Sequence, residues 1–158
     1  MAYILSDKTD DETGCIFCTR VRQNRDRENL ILYRGERAFI ILNLYPYNNG
    51  HLMVVPYAHC PNIDDLDAAT LAEMMVLVKR SVEALRRAMS PDGFNIGVNI
   101  GRAAGAGVEN HVHMHVVPRW VGDTNFMPAI GETRLIPEEL ATTYDRLLEA
   151  GIADDCLS

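Results

Sequence analysis

Apolar and polar positions along the chain divide it into short runs of strand length and one long helical stretch. Leu30–Tyr33 and Ala38–Leu44 are two such runs, joined by Arg34-Gly35-Glu36-Arg37, a glycine-containing hairpin turn. Tyr45-Pro46-Tyr47-Asn48-Asn49-Gly50 is a cluster of turn formers. His51-Leu52-Met53-Val54-Val55-Pro56 follows, apolar on both faces, which predicts a central strand. The period then changes. Leu71, Met74, Met75, Val78, Val82, Leu85 and Met89 recur at steps of three and four, predicting one apolar face of a long helix. Asp67 is its N-cap and Ser90-Pro91-Asp92-Gly93 its stop. Phe94–Ile100 predicts a fourth strand, and Glu138–Ala150 a closing helix with Leu140, Tyr144, Leu147 and Leu148 inward. Thr19–Asn29, of mixed charge, reads as a short surface helix, and residues 1–14 show no period and read as a loose arm.

One run carries chemistry on its pattern. From His111 to Val116, in His111-Val112-His113-Met114-His115-Val116-Val117-Pro118, polar and apolar residues alternate strictly. In a strand that places three imidazoles on one exposed face and turns Val112, Met114 and Val116 to a core. Packing gives no reason for three histidines on one face when the chain has only five. Chemistry gives two, because neutral imidazole is a nucleophile and proton shuttle near pH 7 and is also a metal ligand. Residues at i, i+2 on a strand suit a metal site as well as a catalytic one. The loop before the run, Gly101-Arg102-Ala103-Ala104-Gly105-Ala106-Gly107, is built of small residues that let backbone N–H groups approach an anion closely.

Composition narrows the choice. A chain of 158 residues, 47% hydrophobic and 23% charged, is a single soluble domain with room for a real core. Its net charge of −7 argues against broad nucleic-acid or anionic-membrane binding and leaves room for a small anionic substrate. The first ten residues lack the apolar region of a signal peptide, and no apolar run is long enough to span a bilayer, so a cytoplasmic location is expected. In that compartment the four cysteines are reduced, and Cys15-Ile16-Phe17-Cys18 is a metal half-site or a redox pair before it is a structural disulfide.

His111–Val117 resembles the alternating signature of the histidine triad (HIT) family of nucleotide hydrolases and transferases. Asn43, Asn49-Gly50-His51, the long helix, the small-residue loop and the Pro118-Arg119 exit are similar as well, so the likeness covers roughly residues 15 to 120. The tail Arg119-Trp120-Val121-Gly122-Asp123-Thr124-Asn125-Phe126, with Ile136-Pro137 beyond, resembles the fragile-histidine-triad-like branch that includes bacterial diadenosine tetraphosphate phosphorylases and hydrolases. The resemblance implies an α+β fold over a single HIT domain, residues 1–158, with 121–158 as a C-terminal extension. A five-stranded antiparallel sheet would carry one long helix and a C-terminal helix, and two subunits would join their sheets into a continuous one.

It also implies residue roles. His113, the middle histidine, would be the nucleophile, forming a nucleotidyl-histidine intermediate at the α-phosphate. His115 would stabilise the phosphate and His51 would orient the triad. Asn43 would hold the ribose, and Asn99 with the Gly105, Ala106, Gly107 and Val108 backbone would meet phosphate oxygens. In zinc-bearing relatives the corresponding ligands would be Cys15, Cys18, His59 and His111, a closed structural site. The expected activity is cleavage of dinucleoside polyphosphates, a small-molecule nucleotide substrate. Phosphorolysis of diadenosine tetraphosphate, phosphoramidate hydrolysis and a nucleotide-binding regulatory module with little turnover are the alternatives. Gly105-Ala106-Gly107-Val108 lacks the hydroxyl residue that several relatives carry before the triad, which speaks against phosphorolysis. Cys60 and Cys156 receive no role.

Overall fold

The computed structural model describes residues 14–123 and 138–155. The first thirteen residues of the loose arm, the tail motif from Thr124 through Pro137, and Cys156 therefore lie outside the described residues. Two short helices, α1 (Ile16–Arg22) and α2 (Asp26–Asn29), lead into β1 (Ile31–Arg34) and β2 (Ala38–Leu42), then β3 (Leu52–Pro56), the long α3 (Ala68–Met89), β4 (Gly93–Val98), β5 (Met114–Arg119) and α4 (Leu140–Glu149). The five strands form one antiparallel sheet in the order β1-β2-β3-β5-β4, so β3 is central, as its two apolar faces require.

Alternation along β2 and β3 builds a core on each side of the sheet. Ala38, Ile40 and Leu42, with Leu52 and Val54, face α3 and α4, where they meet Met74, Leu77, Val78, Leu85, Tyr144 and Leu147. Phe39, Ile41, Met53 and Val55 face the other way and pack with Cys15, Phe17 and Cys18 of the α1 segment. Asp67 caps α3 as its sequence position predicts, its side-chain oxygen accepting the Thr70 N–H at 2.8 Å. The buried face of α3 lies slightly off the predicted one: Leu77 and Ala84 are in the core, whereas Met75 is 55% exposed. The sheet meets the helix along a stripe narrower than the apolar positions available, and Met75 falls at its margin.

Five expectations are corrected. The surface helix expected over Thr19–Asn29 is two helices, and the first of them begins within the CxxC. β2 ends at Leu42, and β4 spans Gly93–Val98. The closing helix is confined to Leu140–Glu149. The histidine run is neither wholly strand nor exposed: β5 starts at Met114, and His111 and His113 are only 1% and 5% exposed. The α1 segment is the reason, since it lays the second core over the face that alternation alone would leave to solvent.

Candidate functional site

Register places the histidines. Met53 pairs with His115 and Leu52 with Val116, so His51 and His115 are diagonal neighbours on one face of β3 and β5. Their rings are joined, His51 Nε2 to His115 Nδ1 at 2.9 Å. His113 packs against His115 with ring centroids 4.8 Å apart, and Phe17 covers it from α1 at 5.1 Å. His51, His115 and His113 thus form one run of rings, which Phe17 joins to the His111–His59 pair.

Hydrogen bonds assign the tautomers, because a backbone N–H can only donate and a carbonyl can only accept. The Tyr47 N–H donates to His51 Nδ1 at 3.1 Å, so the His51 proton sits on Nε2 and is given to His115 Nδ1. His115 then carries its own proton on Nε2. His113 Nδ1 lies 2.9 Å from the His111 carbonyl oxygen and must be protonated to meet it, which leaves Nε2 with its lone pair. His111 reverses the pattern: its Nε2–H donates to the Pro56 carbonyl at 2.7 Å, and Nδ1 keeps the lone pair. Within five residues the backbone thus sets up a nitrogen ligand, a nucleophilic nitrogen and an N–H donor.

The electrostatics keep these rings neutral. Burial, helped by the neighbouring imidazoles, lowers His51 to about 3 and His115 to about 4. Burial lowers His113 too, against the opposing pull of the His111 carbonyl. None is therefore charged at neutral pH, and His113 Nε2 is available without first losing a proton.

The His111 Nδ1 lone pair faces a cluster. It lies 3.3 Å from Cys15 Sγ, 3.6 Å from Cys18 Sγ and 3.3 Å from His59 Nδ1, with Cys18 Sγ and His59 Nδ1 3.5 Å apart. All four donor atoms lie within 4.8 Å of one another. Bonds of ~2.0–2.1 Å to nitrogen and ~2.3 Å to sulfur about a tetrahedral centre place neighbouring donors roughly 3.3–3.8 Å apart. The set fits a divalent metal of zinc type. His59 adds a second argument, since its Nε2 is buried with no hydrogen-bond partner among the described residues. Its ring orientation is therefore explained by what Nδ1 faces.

Beyond His115 the face opens. Asn95, Gly97 and Asn99 on and just past β4 share it with His115, Val117 and Arg119 of β5, and these residues line a cleft of about 500 Å³ together with Tyr47, Asn48 and Asp123. Gly97 stands opposite His115, where a Cβ would meet nothing within 4 Å. Arg119 is bound by Asp123 through Nε and Nη2, both at 3.0 Å, and donates from Nη1 to Asn95 Oδ1. The guanidinium, with N–H groups of Trp120 and Asn48, holds the Asp123 carboxyl far below the usual carboxylate range.

Of the residues singled out from sequence, His51, His113 and His115 come together, and so do Cys15, Cys18, His59 and His111. Asn99 and His115 line the cleft. Asn43 does not: it is buried beside His51, its Oδ1 accepting the Tyr45 N–H. Gly105–Val108 lie apart from the cleft lining, and the Val108 side chain enters the second core. Sequence reading missed Tyr47, Asn95, Asp123 and Phe17. The alternation Asn95-Gly97-Asn99 was a usable signal for the cleft floor. Cys60, without a role in the sequence reading, is half-buried with its thiol 3.8 Å from the Asn62 carbonyl oxygen.

Comparison with known proteins agrees with this geometry. The model of the HIT domain matches residues 24–121. The "AP-4-A phosphorylase" of Mycobacterium tuberculosis is 43% identical over 125 residues, which are 79% of this chain and 64% of that protein, so the chain spans somewhat less than two thirds of its relative's length. Among solved structures, a Zn-bound histidine triad family protein from Mycobacterium smegmatis superposes with a TM-score of 0.73 at 31% identity, covering 89% of this chain and 94% of the other. A hypothetical histidine triad nucleotide-binding protein from Sulfolobus tokodaii superposes with a TM-score of 0.70, also at 31% identity, covering 86% and 91%. With the three aligned imidazoles, the sheet that carries them and these matches together, the chain belongs to the HIT domain family.

Proposed function

We propose that the protein is a nucleotidyl hydrolase that cleaves dinucleoside polyphosphates at an α-phosphate through a covalent adduct on His113. The observation that carries this reading is the bond from His113 Nδ1–H to the His111 carbonyl, which leaves Nε2 as the neutral, buried nucleophile. Attack by Nε2 forms a P–N bond, and the P–O bond to the departing polyphosphate breaks with its electron pair. The ring becomes cationic as this happens. The Nδ1–H bond to the carbonyl therefore strengthens towards the transition state, where it is most useful. His115 offers its Nε2–H to a phosphate oxygen, and its tautomer is held through His51 by the Tyr47 N–H. Water then attacks phosphorus, the P–N bond breaks, a proton passes to solvent, and His113 returns to neutrality. Asn99 and the Gly105–Val108 backbone serve as further phosphate donors and Asn43 as the ribose contact, on the family resemblance.

A structural zinc on Cys15, Cys18, His59 and His111 belongs to the same reading, supported by the donor spacing and by the Zn-bound relative. Bound there, the metal supplies cross-linking and no reactive water, since four protein donors close it. A homodimer belongs to it too: β4 is a sheet edge and exposes Ile96. So does a cytoplasmic location, for which the supporting fact is that no described helix is long and apolar enough to cross a membrane.

The M. tuberculosis relative's name favours a second reading, in which phosphate and not water takes the nucleotidyl group. Gly105-Ala106-Gly107-Val108, without a hydroxyl, favours water. Incubation with diadenosine tetraphosphate, with and without inorganic phosphate, separates them. AMP and ATP released without phosphate are expected; ADP formed only with phosphate makes the protein a phosphorylase. Alkaline rapid quench is expected to trap the adduct on His113, and His113→Asn to lower kcat by at least about a thousandfold while nucleotide still binds. An adduct on another residue overturns the mechanism.

A further inference from the structure

Tyr47 is 75% exposed at the edge of the cleft, yet its backbone and neighbours are firmly held. Its N–H donates to His51 Nδ1 at 3.1 Å, and its ring lies nearly parallel to the His51 imidazole, with centroids 5.0 Å apart and planes 20° apart. The next residue, Asn48, donates from Nδ2 to the Pro118 carbonyl at 3.1 Å and to Asp123 Oδ2 at 2.6 Å. The turn is thus tied to His51 at one point and to the end of β5 at another. One face of the phenol ring rests on a buried imidazole, and its exposure leaves the opposite face open.

Direction and reach decide what such a face receives. In a displacement at phosphorus the departing group leaves roughly in line with, and opposite to, the attacking atom. His113 lies on the α1 side of His115, under Phe17, and the cleft runs from His115 past Val117 to Arg119, away from His113. The expelled group therefore departs into this cleft. Centroid steps of 5.0 Å from Tyr47 to His51 and 5.1 Å from His51 to His115 put the phenol ring within about 10 Å of His115. Ammonia, sulfate or pyrophosphate as leaving group would put no flat ring on this platform. A nucleoside carried on phosphates does, with the amide side chains of Asn95 and Asn99 along the way.

We propose that Tyr47 is the stacking platform for the nucleobase of the departing nucleotide, which makes this cleft a second nucleoside subsite and selects dinucleotides over substrates whose leaving group has no base. The proposal rests on the assignment of His113 as nucleophile and adds a specificity-determining residue to it. Stacking on one aromatic ring accounts for roughly tenfold to a hundredfold in affinity per base, whatever the base.

The test compares the wild type, Tyr47→Ala and Tyr47→Trp on diadenosine tetraphosphate and on adenosine 5′-phosphoramidate. The ratio of kcat/KM for the two substrates is expected to fall about tenfold or more in Tyr47→Ala and to be restored in Tyr47→Trp. Equal losses on both substrates, or no loss on either, overturn the proposal, the former by showing that Tyr47 acts only as a wedge behind His51. Dissociation constants in the full chain carrying His113→Asn read the subsite without turnover. Diadenosine tetraphosphate should bind more tightly than AMP, and adding Tyr47→Ala should erase that advantage. An advantage absent beforehand, or persisting afterwards, overturns the subsite. A wild type that binds the dinucleotide and releases no AMP overturns the nucleophile assignment instead.

Discussion

The two ends of the histidine run lie in opposite surroundings. At the His111 end the face is sealed: α1 lays Cys15, Phe17 and Cys18 over it, His111 is 1% exposed, and its ring is fixed through Pro56 and the donor cluster. At the His115 end the same face opens into the cleft floored by Asn95, Gly97 and Val117. His113 stands at the boundary, buried under Phe17 yet next to the open ring of His115. A nucleophile gains from this position. Burial keeps it neutral, the His111 carbonyl fixes its tautomer, and on the proposed function the open side admits a phosphate. On the proposed function, one face of the run is an anchor at one end and a substrate floor at the other.

The comparison is broken most severely from the sealed end. Cys15→Ser is expected to lose a bound metal and to destabilise the fold by a few kcal/mol, on the order of what removing a ligand from a closed site costs. Elemental analysis of the purified protein and chemical denaturation with and without a chelator measure both. Native protein containing no zinc, with a denaturation midpoint indifferent to chelator, removes the anchor from the account. The order of damage also matters: the metal variant should lose stability first and activity as a consequence, whereas His113→Asn should lose activity at unchanged stability.

At the open end the probe is a methyl-bearing side chain where there is none. Gly97 has no backbone need for glycine, since its φ is not positive, and a Cβ there meets empty space opposite His115. Gly97→Val should therefore fold with little change in stability and project its methyl groups into the cleft. KM for diadenosine tetraphosphate is expected to rise about tenfold, the scale of a few lost contacts in a filled pocket. Steady-state kinetics beside a denaturation curve check this. A variant with unaltered KM shows that substrate does not cross the floor at Gly97.

The smallest effect is at the junction. His51 and His115 are lowered to about 3 and about 4 from an ordinary value near 6.5, chiefly by burial. The unfolded chain therefore binds more protons than the folded one between those values. Stability from this pair is complete above the ordinary value and is lost as pH falls towards the folded values. Between pH 6.5 and 6 the expected loss from the pair is about 1 kcal/mol. Urea denaturation at fixed metal concentration should show a shallower slope in His51→Gln. An equal slope assigns the acid sensitivity to other groups.

Much of this was legible in the chain. Alternation from His111 to Val116 told that the three imidazoles share a side, the CxxC read as a metal half-site, and the family resemblance supplied His59 and His111 as the other donors, which the fold gathers. The five strands and the cap at Asp67 followed from local patterns, and the antiparallel pairing of the strands from the family resemblance. The register of β4 against β5 was not legible, and with it the cleft remained hidden. Asn95 and Gly97 read as ordinary strand residues until pairing sets them opposite Val117 and His115. The exposed histidine face was misread for a related reason: periodicity tells which side chains share a face and says nothing of what a distant segment lays over it.

What the sequence determined alone was chemistry and period, both properties of neighbours along the chain. Residue type decides that an imidazole can attack phosphorus or bind a metal, and a two-residue repeat decides that three of them point together. What only the tertiary structure decided was which nitrogen of each ring carries the proton. His111 meets the Pro56 carbonyl, 55 residues away, and His115 receives its proton arrangement from His51, 64 residues away, while His113 bonds the carbonyl just two residues before it. Identical side chains acquire different tautomers because each meets a different fixed dipole. Those dipoles come into place only when the sheet registers and α1 closes over one end of it.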